Sequence, residues 1–422
     1  MTPAPRSGQA SAWLGQRPLR VLHVIPAVAA RYGGPSAAVV GMCRALGAAG
    51  VETLIATTDA DGRGRLPVAL GRSTTFEGVP AIFFRRQASE AFKWSAPLAA
   101  WLSRHAAEFD LVHVHAVFSH ASIAAGRACR AVHVPYVVRP LGTLDPWSVG
   151  HKPLRKRLLL RLGGRDLLAG ATAMHYTTVE EGRLAESVMG ALPPGTVVPV
   201  GVDETYFAPN APPASGAPYF LALSRLDVKK RLEWVIKGCH QLASDGRLGP
   251  WRFVVAGAGD AAYVARLRDL ASRGPAKGRI VFDGWVDGPA KAVLLRGASF
   301  FVLPSRQENL GLALLEALAS GVPALVTPGV NLGSEIAAAG AGWRVEDSEA
   351  AVVAGLEAAI GDAADRAARG RRAAAFADRF RWPHVVAGLM DLYQRVTAAP
   401  VHLAETPSGR PPVADRGRLA GI

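Results

Sequence analysis

In the run Phe300-Phe-Val-Leu-Pro-Ser-Arg-Gln-Glu308-Asn-Leu-Gly311-Leu-Ala-Leu-Leu-Glu316-Ala-Leu-Ala-Ser-Gly321-Val-Pro323, four apolar residues open a buried strand that Pro304 ends. A polar loop follows. From Gly311 to Ser320 the apolar residues are almost unbroken, which predicts a helix packed on most sides, and Gly321-Val322-Pro323 is its stop signal. Glu308 therefore sits in the loop at the strand's carboxyl end. Glu316 sits inside the helix, about a turn and a half beyond its start.

A strand-loop-helix unit points free backbone N–H groups and a partial positive charge at whatever lies above the loop. Carboxylates repel a phosphate there, so their expected task is to accept hydrogen bonds from hydroxyls. Phosphate together with hydroxyls describes a nucleotide-sugar. The plainer reading of the same letters is a solvated loop glutamate and an ion-paired helix glutamate.

At 422 residues the chain is long for one domain and comfortable for two. Its formal charge of +14 favours an anionic partner: nucleic acid, an anionic membrane surface or a phosphorylated substrate. Cys43, Cys129 and Cys239 are odd in number and far apart, which excludes a disulfide framework and fits a reducing compartment. The apolar run Val21–Ala30 imitates a secretion signal but contains His23 and Pro26, and a strand explains it as well. No run approaches the ~18 apolar residues of a spanning helix. The expected location is the cytoplasm, either free or attached to the inner face of the cell membrane.

Along the chain, residues 1–17 read as a disordered lead-in and residues 18–207 as a first unit. Its strands are predicted at Leu19–Ile25, Val51–Thr58, Ala81–Arg85, Leu111–His115, Tyr136–Arg139, Ala173–Thr178 and Thr196–Val200. Arg31-Tyr-Gly33-Gly34-Pro35-Ser36 precedes a helix at Ala37–Ala49, a turn in which Gly-Gly allows close approach of a ligand. The Pro-rich segment 208–218 reads as a linker. A second unit, 219–381, restarts the alternation with strands at Tyr219–Ser224, Trp251–Ala256, Ile280–Phe282, Phe300–Leu303 and Ala324–Thr327. A last helix occupies 382–397, and 398–422 reverts to coil. This βαβα alternation with Val- and Ile-rich strands predicts two doubly wound parallel sheets covered on both faces.

Such sheets bind ligands at the carboxyl ends of their strands. Arg225 and Lys230 lie in one loop after the second unit's first strand. A guanidinium fork and a movable ammonium neutralise a pyrophosphate without a metal. Asp59-Ala-Asp61 offers a metal pair, but its Gly-rich setting predicts a flexible loop instead. His113 and His115 share a strand face, with His120 in the following loop, and read as satisfied core or cleft histidines. The segment His151–Arg165 carries Lys152, Arg155, Lys156, Arg157, Arg161 and Arg165 without an acid, interleaved with leucines. That is a basic amphipathic pattern, suited either to packing on the sheet or to an anionic membrane.

Ser224-Arg-Leu-Asp-Val-Lys-Lys230, the Pro304–Gly311 loop with Glu308 and Glu316 eight positions apart, and Gly33-Gly34 together resemble family 4 of the retaining glycosyltransferases. The resemblance extends over roughly residues 19–397, including Arg139–Trp147 and Val200-Gly-Val-Asp203. It implies the GT-B fold, two Rossmann-like domains facing a cleft, with the last helix crossing back to the N-terminal domain. It implies Arg225 and Lys230 on the donor diphosphate, Glu308 on the donor sugar, and backbone groups of Asn309, Leu310 and Gly311 beside it. Glu316 would hold the ribose hydroxyls and Gly34, with Gly33, would approach the phosphate from across the cleft. No metal cofactor is implied. The implied reaction is metal-independent hexosyl transfer with retention, from a nucleotide-diphosphate sugar to a glycan or lipid-linked glycan, in cell-surface polysaccharide biosynthesis.

Three positions depart from the pattern. Leu141-Gly142 stands where many relatives have His-Gly, Val200 where many have Asn, and Arg231 where many have Gly. Two other classes compete. A nucleotide-sugar 2-epimerase shares the fold but needs acid/base groups near the sugar's second carbon. A basic nucleic-acid-binding protein would need interleaved aromatics or a nucleic-acid motif, and neither is present, so no nucleic-acid partner is expected.

Overall fold

The computed structural model describes residues 17–207 and 216–398. Nearly all of the expected lead-in, most of the linker 208–218 and the tail beyond residue 398 lie outside the described residues. The N-terminal unit contains β1 (Arg20–Ala27), β2 (Glu52–Thr58), the short pair β3 (Ala60–Asp61) and β4 (Gly64–Arg65), β5 (Ser73–Phe76), β6 (Val79–Phe84), β7 (Leu111–His115), β8 (Tyr136–Arg139), β9 (Ala173–Tyr176) and β10 (Gly195–Val197). Eight of them form one sheet in the order β10-β9-β8-β7-β1-β2-β6-β5, parallel except where β5 meets β6. The C-terminal unit has β11 (Tyr219–Leu223), β12 (Arg252–Ala256), β13 (Ile280–Gly284), β14 (Phe300–Leu303), β15 (Ala324–Val326) and β16 (Gly342–Arg344), all parallel, in the order β13-β12-β11-β14-β15-β16.

Both sheets have two apolar faces, and neighbours along a strand fall into different cores. Leu22 and Val24 of β1 pack with Val112 and Val114 under one helical layer, while Val21 packs with Leu111 and Val137 under another. In the second sheet Phe300 and Val302 face one core, and Phe301 and Leu303 the other. Each such side chain contributes roughly 1.5–3 kcal/mol on burial, so strands wet on one side would forfeit half of this. The sheets are the doubly wound kind that the sequence predicts. β5 and β16 escaped the sequence reading because both are short edge strands with little apolar alternation of their own.

The helix Trp382–Ala398 packs Val385, Leu389, Leu392, Tyr393 and Val396 against Leu19, Val21, Met42, Leu46, Leu111, Val137 and Val198 of the first unit. Trp382 is admitted by two glycines: a Cβ on Gly41 or Gly201 would lie 2.5 or 2.2 Å from its ring. The same layer holds four fully buried histidines. His23 Nδ1 lies 3.1 Å from His115 Nε2, His113 Nε2 lies 3.1 Å from His175 Nδ1, and His113 Nδ1 lies 2.9 Å from the Tyr393 hydroxyl. Burial pushes all four down, His23 and His175 to about 3, with Arg139 reinforcing the effect.

One expectation needs revision. The Asp59–Gly64 segment is a tight hairpin, not a flexible loop, and Asp59 is 2% exposed. Its Oδ1 accepts from Arg86 N at 2.7 Å, with Arg85 and Arg65 within 3.7 and 3.9 Å of Oδ2. Asp61 faces Arg31 at 3.4 Å. The basic segment is an α-helix over Pro153–Leu159, a wider π-type turn over Leu160–Gly164 and a second helix over Arg165–Ala169. The break comes at Gly163, whose φ of 134° only glycine adopts easily.

Candidate active site

Two helices, one from each unit, begin opposite each other. Gly33, at φ 72°, precedes the helix Gly34–Ala48, and Gly311, at φ 74°, precedes the helix Leu312–Ala319. A Cβ placed on Gly34 would touch Leu312 Cβ at 3.8 Å. Pro35 has no N–H and Ser36 N donates to Gly33 O, so Gly34 at the one start and Leu312 and Ala313 at the other carry the free first-turn N–H groups, at the cleft between the carboxyl edges of the two sheets.

The loop Ser305–Leu310 between β14 and the second of these helices is held rigidly from behind. Glu308 N donates to Gly329 O at 2.7 Å and Asn331 N donates to Glu308 O at 3.0 Å, while Thr327 Oγ1 donates to Ser305 O at 2.9 Å. This places the Glu308 carboxylate beside the loop that follows β11. There Asp227 caps a turn, accepting from Lys229 N at 3.0 Å, and presents Lys229 and Lys230 inward. Lys230 is buried and ion-pairs with Glu308 Oε2. Lys229 Nζ donates to Gln307 Oε1 at 3.1 Å. Arg225 is exposed at the rim of the same loop, near enough to act on both Lys229 and Glu308. Burial pushes the Glu308 carboxyl up, but Lys230, Lys229 and Arg225 outweigh it and hold it below the usual carboxylate range. Burial pushes Lys229 down, with Glu308 opposing the shift.

Glu316 lies apart from this cluster. It is 5% exposed and pairs with Lys291 Nζ at 2.5 Å, from the helix Gly288–Gly297. Burial raises its pKa, and Lys291 offsets part of the rise. Leu310 is buried in the core of the second unit, so only its backbone faces the loop.

The cleft is closed by direct contacts. Gln307 Nε2 donates to Asp145 Oδ2 at 2.8 Å and Asn309 Nδ2 donates to Thr177 Oγ1 at 2.9 Å. Thr177 Oγ1 in turn donates to Glu181 Oε2 at 2.7 Å, and Glu181 Oε1 accepts from Gly142 N at 2.6 Å. Asn309 Oδ1 accepts from Asn331 Nδ2 at 3.1 Å, so its amide bridges the units. Gly142 has φ 68°, and a Cβ on it would lie 2.7 Å from Asn309 Cβ. The preceding Leu141 is also left-handed, at φ 58°.

The structure thus brings Arg225, Lys230 and Glu308 together, with Asn309, Leu310 and Gly311 in the adjoining loop. It sets Gly33 and Gly34 opposite them and puts Glu316 a short way along the helix. Sequence reasoning missed Lys229, Lys291, Gln307, Asp145, Thr177 and Glu181. Lys229 and Gln307 adjoin Lys230 and Glu308 in the motifs but carry no signal of their own, and Lys291, Asp145, Thr177 and Glu181 lie far along the chain and meet the site only through the tertiary fold. Two departures find physical explanations. Arg231 sits at φ 52°, the left-handed region that favours glycine, and its guanidinium pairs with Asp347. Val200 is simply buried in the core.

His113 and His115 do not line the cleft. With His23 they bring nitrogens within 4.8 Å of one another, but Arg139, itself fully buried, bears on all three and opposes an added cation. His120 caps another element, accepting from Ser95 N at 3.2 Å.

Two sheets of this order facing a cleft define a GT-B protein. Residues 33–202 match the glycosyl transferase 4-like domain and residues 217–362 match the glycosyl transferases group 1 model, so the chain belongs to that glycosyltransferase family. Among curated relatives, the D-inositol 3-phosphate glycosyltransferase of Arthrobacter sp. is 28% identical over 72% of this chain and 75% of its own length. That of Nocardia farcinica is 26% identical over 68% and 66%. WcaL of Escherichia coli, named for colanic acid biosynthesis, is 29% identical over 37% and 39%. The chain spans about two thirds or less of the first three relatives it matches, between 39% and 66% of their lengths. Among solved structures, sucrose-phosphate synthase from Thermosynechococcus elongatus superposes with a TM-score of 0.72 at 19% identity, covering 90% of this chain and all of that one. Anabaena Alr3699/HepE in complex with UDP-glucose gives 0.70 at 18%, covering 89% and all.

Proposed function

We propose that this protein is a metal-independent, retaining glycosyltransferase. It moves a hexosyl group from a nucleoside-diphosphate sugar to a hydroxyl of a glycan or lipid-linked glycan, in the synthesis of a cell-surface polysaccharide. The observation that carries the reading is the convergence of two helix starts on the cleft beside Arg225, Lys229 and Lys230, with Glu308 among the cations.

Arg225, Lys230 and the N–H groups at Gly34 and Gly311 would receive the diphosphate. Their charge is strongest on the leaving group, where negative charge grows as the glycosidic bond stretches. Lys230 and Glu308 neutralise each other without donor. A diphosphate would draw Lys230 toward its oxygens and free Glu308 to accept hydrogen bonds from sugar hydroxyls. Glu316, with Lys291 as its partner, sits where a ribose would follow. In the retaining course the acceptor oxygen attacks the sugar carbon on the face the diphosphate leaves, and its proton passes to a phosphate oxygen. Three cations around one phosphate site supply the charge a divalent ion would otherwise bring, and Asp59 and Asp61 face arginines. Support for the donor class comes from the UDP-glucose of the Anabaena structure, and for the polysaccharide role from the name of the Escherichia coli relative.

The test is a thermal-shift panel of UDP-, GDP-, ADP- and dTDP-sugars, followed by turnover with the donor that binds, in EDTA, with the product's anomeric configuration read by NMR. Ligand at ~100 times its Kd stabilises by about 2.7 kcal/mol. Arg225→Ala and Glu308→Ala are each expected to lower kcat/KM by at least ~100-fold. Near-normal turnover in either variant, an inverted product or loss of turnover in EDTA refutes the corresponding part.

A further inference from the structure

We infer that the surface around Leu154, Leu158 and Leu162 docks the protein on an anionic lipid bilayer, beside the mouth of the cleft. The sequence leaves two fates open for the leucines of this segment, and the structure divides them. Leu159 and Leu160 are buried and anchor the element, whereas Leu154, Leu158 and Leu162 are 78%, 54% and 55% exposed. These three recur at four-residue intervals, and all stay exposed although the wider turn begins between the second and the third. Scattered exposed leucines are ordinary, but a repeated stripe of them is an interaction surface.

The flanking charge says what covers it. Lys152, Arg155, Arg157, Arg161 and Arg165 are exposed, and no acid occurs between His151 and Arg165. Lys156 is the exception among the six cations: its ammonium folds back to donate to Ser148 O and lies 5.0 Å from the Phe118 ring. Trp147, 37% exposed, stacks on His151 at 5.9 Å and extends the patch with an aromatic of the kind that favours a lipid–water interface. An apolar stripe edged by cations fits a bilayer of anionic lipid, in which leucines enter the acyl boundary and guanidinium groups meet phosphates. A nucleic acid would leave the leucines in water.

The place matters as much as the chemistry. The segment follows directly on the loop that closes the cleft, where Asp145 receives Gln307 and Lys229 lies 5.7 Å from the Trp147 ring. A lipid-linked acceptor would reach the reacting sugar without leaving the bilayer. This last clause rests on the glycosyltransferase reading; the docking itself does not.

The experiment is cosedimentation of the full chain with vesicles of phosphatidylcholine alone, or with about a third of phosphatidylglycerol, a composition rich in anionic lipid. Two triple variants accompany it: Leu154→Ser/Leu158→Ser/Leu162→Ser and Arg155→Gln/Arg157→Gln/Arg161→Gln. All substituted residues are exposed, and circular dichroism checks folding. The native chain is expected to bind anionic vesicles at least about a hundredfold more tightly than neutral ones. Removing three cations should weaken this about a hundredfold, at about fivefold per charge, and removing three leucines at least tenfold. Equal binding to both vesicles, no binding, or a leucine variant that binds like the native chain overturns the proposal, the last by revealing a site for soluble polyanions. A thermal shift with the nucleotide-sugar panel is run on every variant. Vesicle binding without any donor shift refutes the proposed function and leaves the docking surface standing.

Discussion

Lowering the pH from 7.5 to 5.5 should cost this protein most of its stability, because four histidines are buried neutral between the first sheet and the last helix. In the unfolded chain each titrates near 6.5, whereas in the fold burial holds His23 and His175 down at about 3 and His113 and His115 well below normal. Between those values the unfolded chain binds more protons, so stability is present above pH 6.5 and lost as pH falls through the window toward 3. For one histidine the loss between pH 7.5 and 5.5 is about 1.4 kcal/mol, and for four it is about 5–6 kcal/mol. A domain's whole stability is roughly 5–15 kcal/mol, so this decides whether the first unit stays folded. Urea unfolding followed by tryptophan fluorescence, repeated at half-unit steps of pH, measures it. Near pH 5.5 the dependence should correspond to uptake of three to four protons, about 4–5 kcal/mol per pH unit. A slope of one proton or less would refute the neutral cluster.

Gly142→Ala should destabilise by about 1–3 kcal/mol and raise the donor KM, since its backbone is left-handed and the new Cβ meets Asn309; a native Tm and KM count against this. Lys291→Met leaves Glu316 buried without its partner and should cost about 3–5 kcal/mol at pH 8. Because burial already raises that carboxyl, protonation should recover part of the loss as the pH falls toward 5; a loss uniform in pH contradicts the pairing. Asp145→Ala and Gln307→Ala should be coupled by about 0.5–3 kcal/mol in a double-mutant cycle read on donor binding, and additivity would mean the closing contact is not made in solution.

Much of the candidate site is legible in the letters because it is local. A strand, a loop and a helix start follow one another within residues 300–320, and periodicity marks each of them, so Glu308 at a strand end and Gly311 at a helix start need no tertiary information. Arg225 and Lys230 are legible for the same reason, in the loop after β11. The histidines show the opposite case. Read from the strand alone, His113 and His115 could belong to the core or to the cleft, and strand order decides for the core: both sit in the middle of a sheet, where His113 meets the Tyr393 hydroxyl of a helix that arrives from the far end of the chain.

Taken alone, then, the sequence determines two doubly wound α/β sheets and the loops at their carboxyl edges, since both follow from short-range pattern and residue chemistry. The tertiary structure alone decides which loops face each other. It sets Gly34 against Leu312, Asp145 against Gln307 and Thr177 against Asn309. It also decides which leucines of one basic segment are buried and which are offered to a surface. Both outcomes depend on how the sheets, helices and their connections pack, and no short window of sequence records that packing.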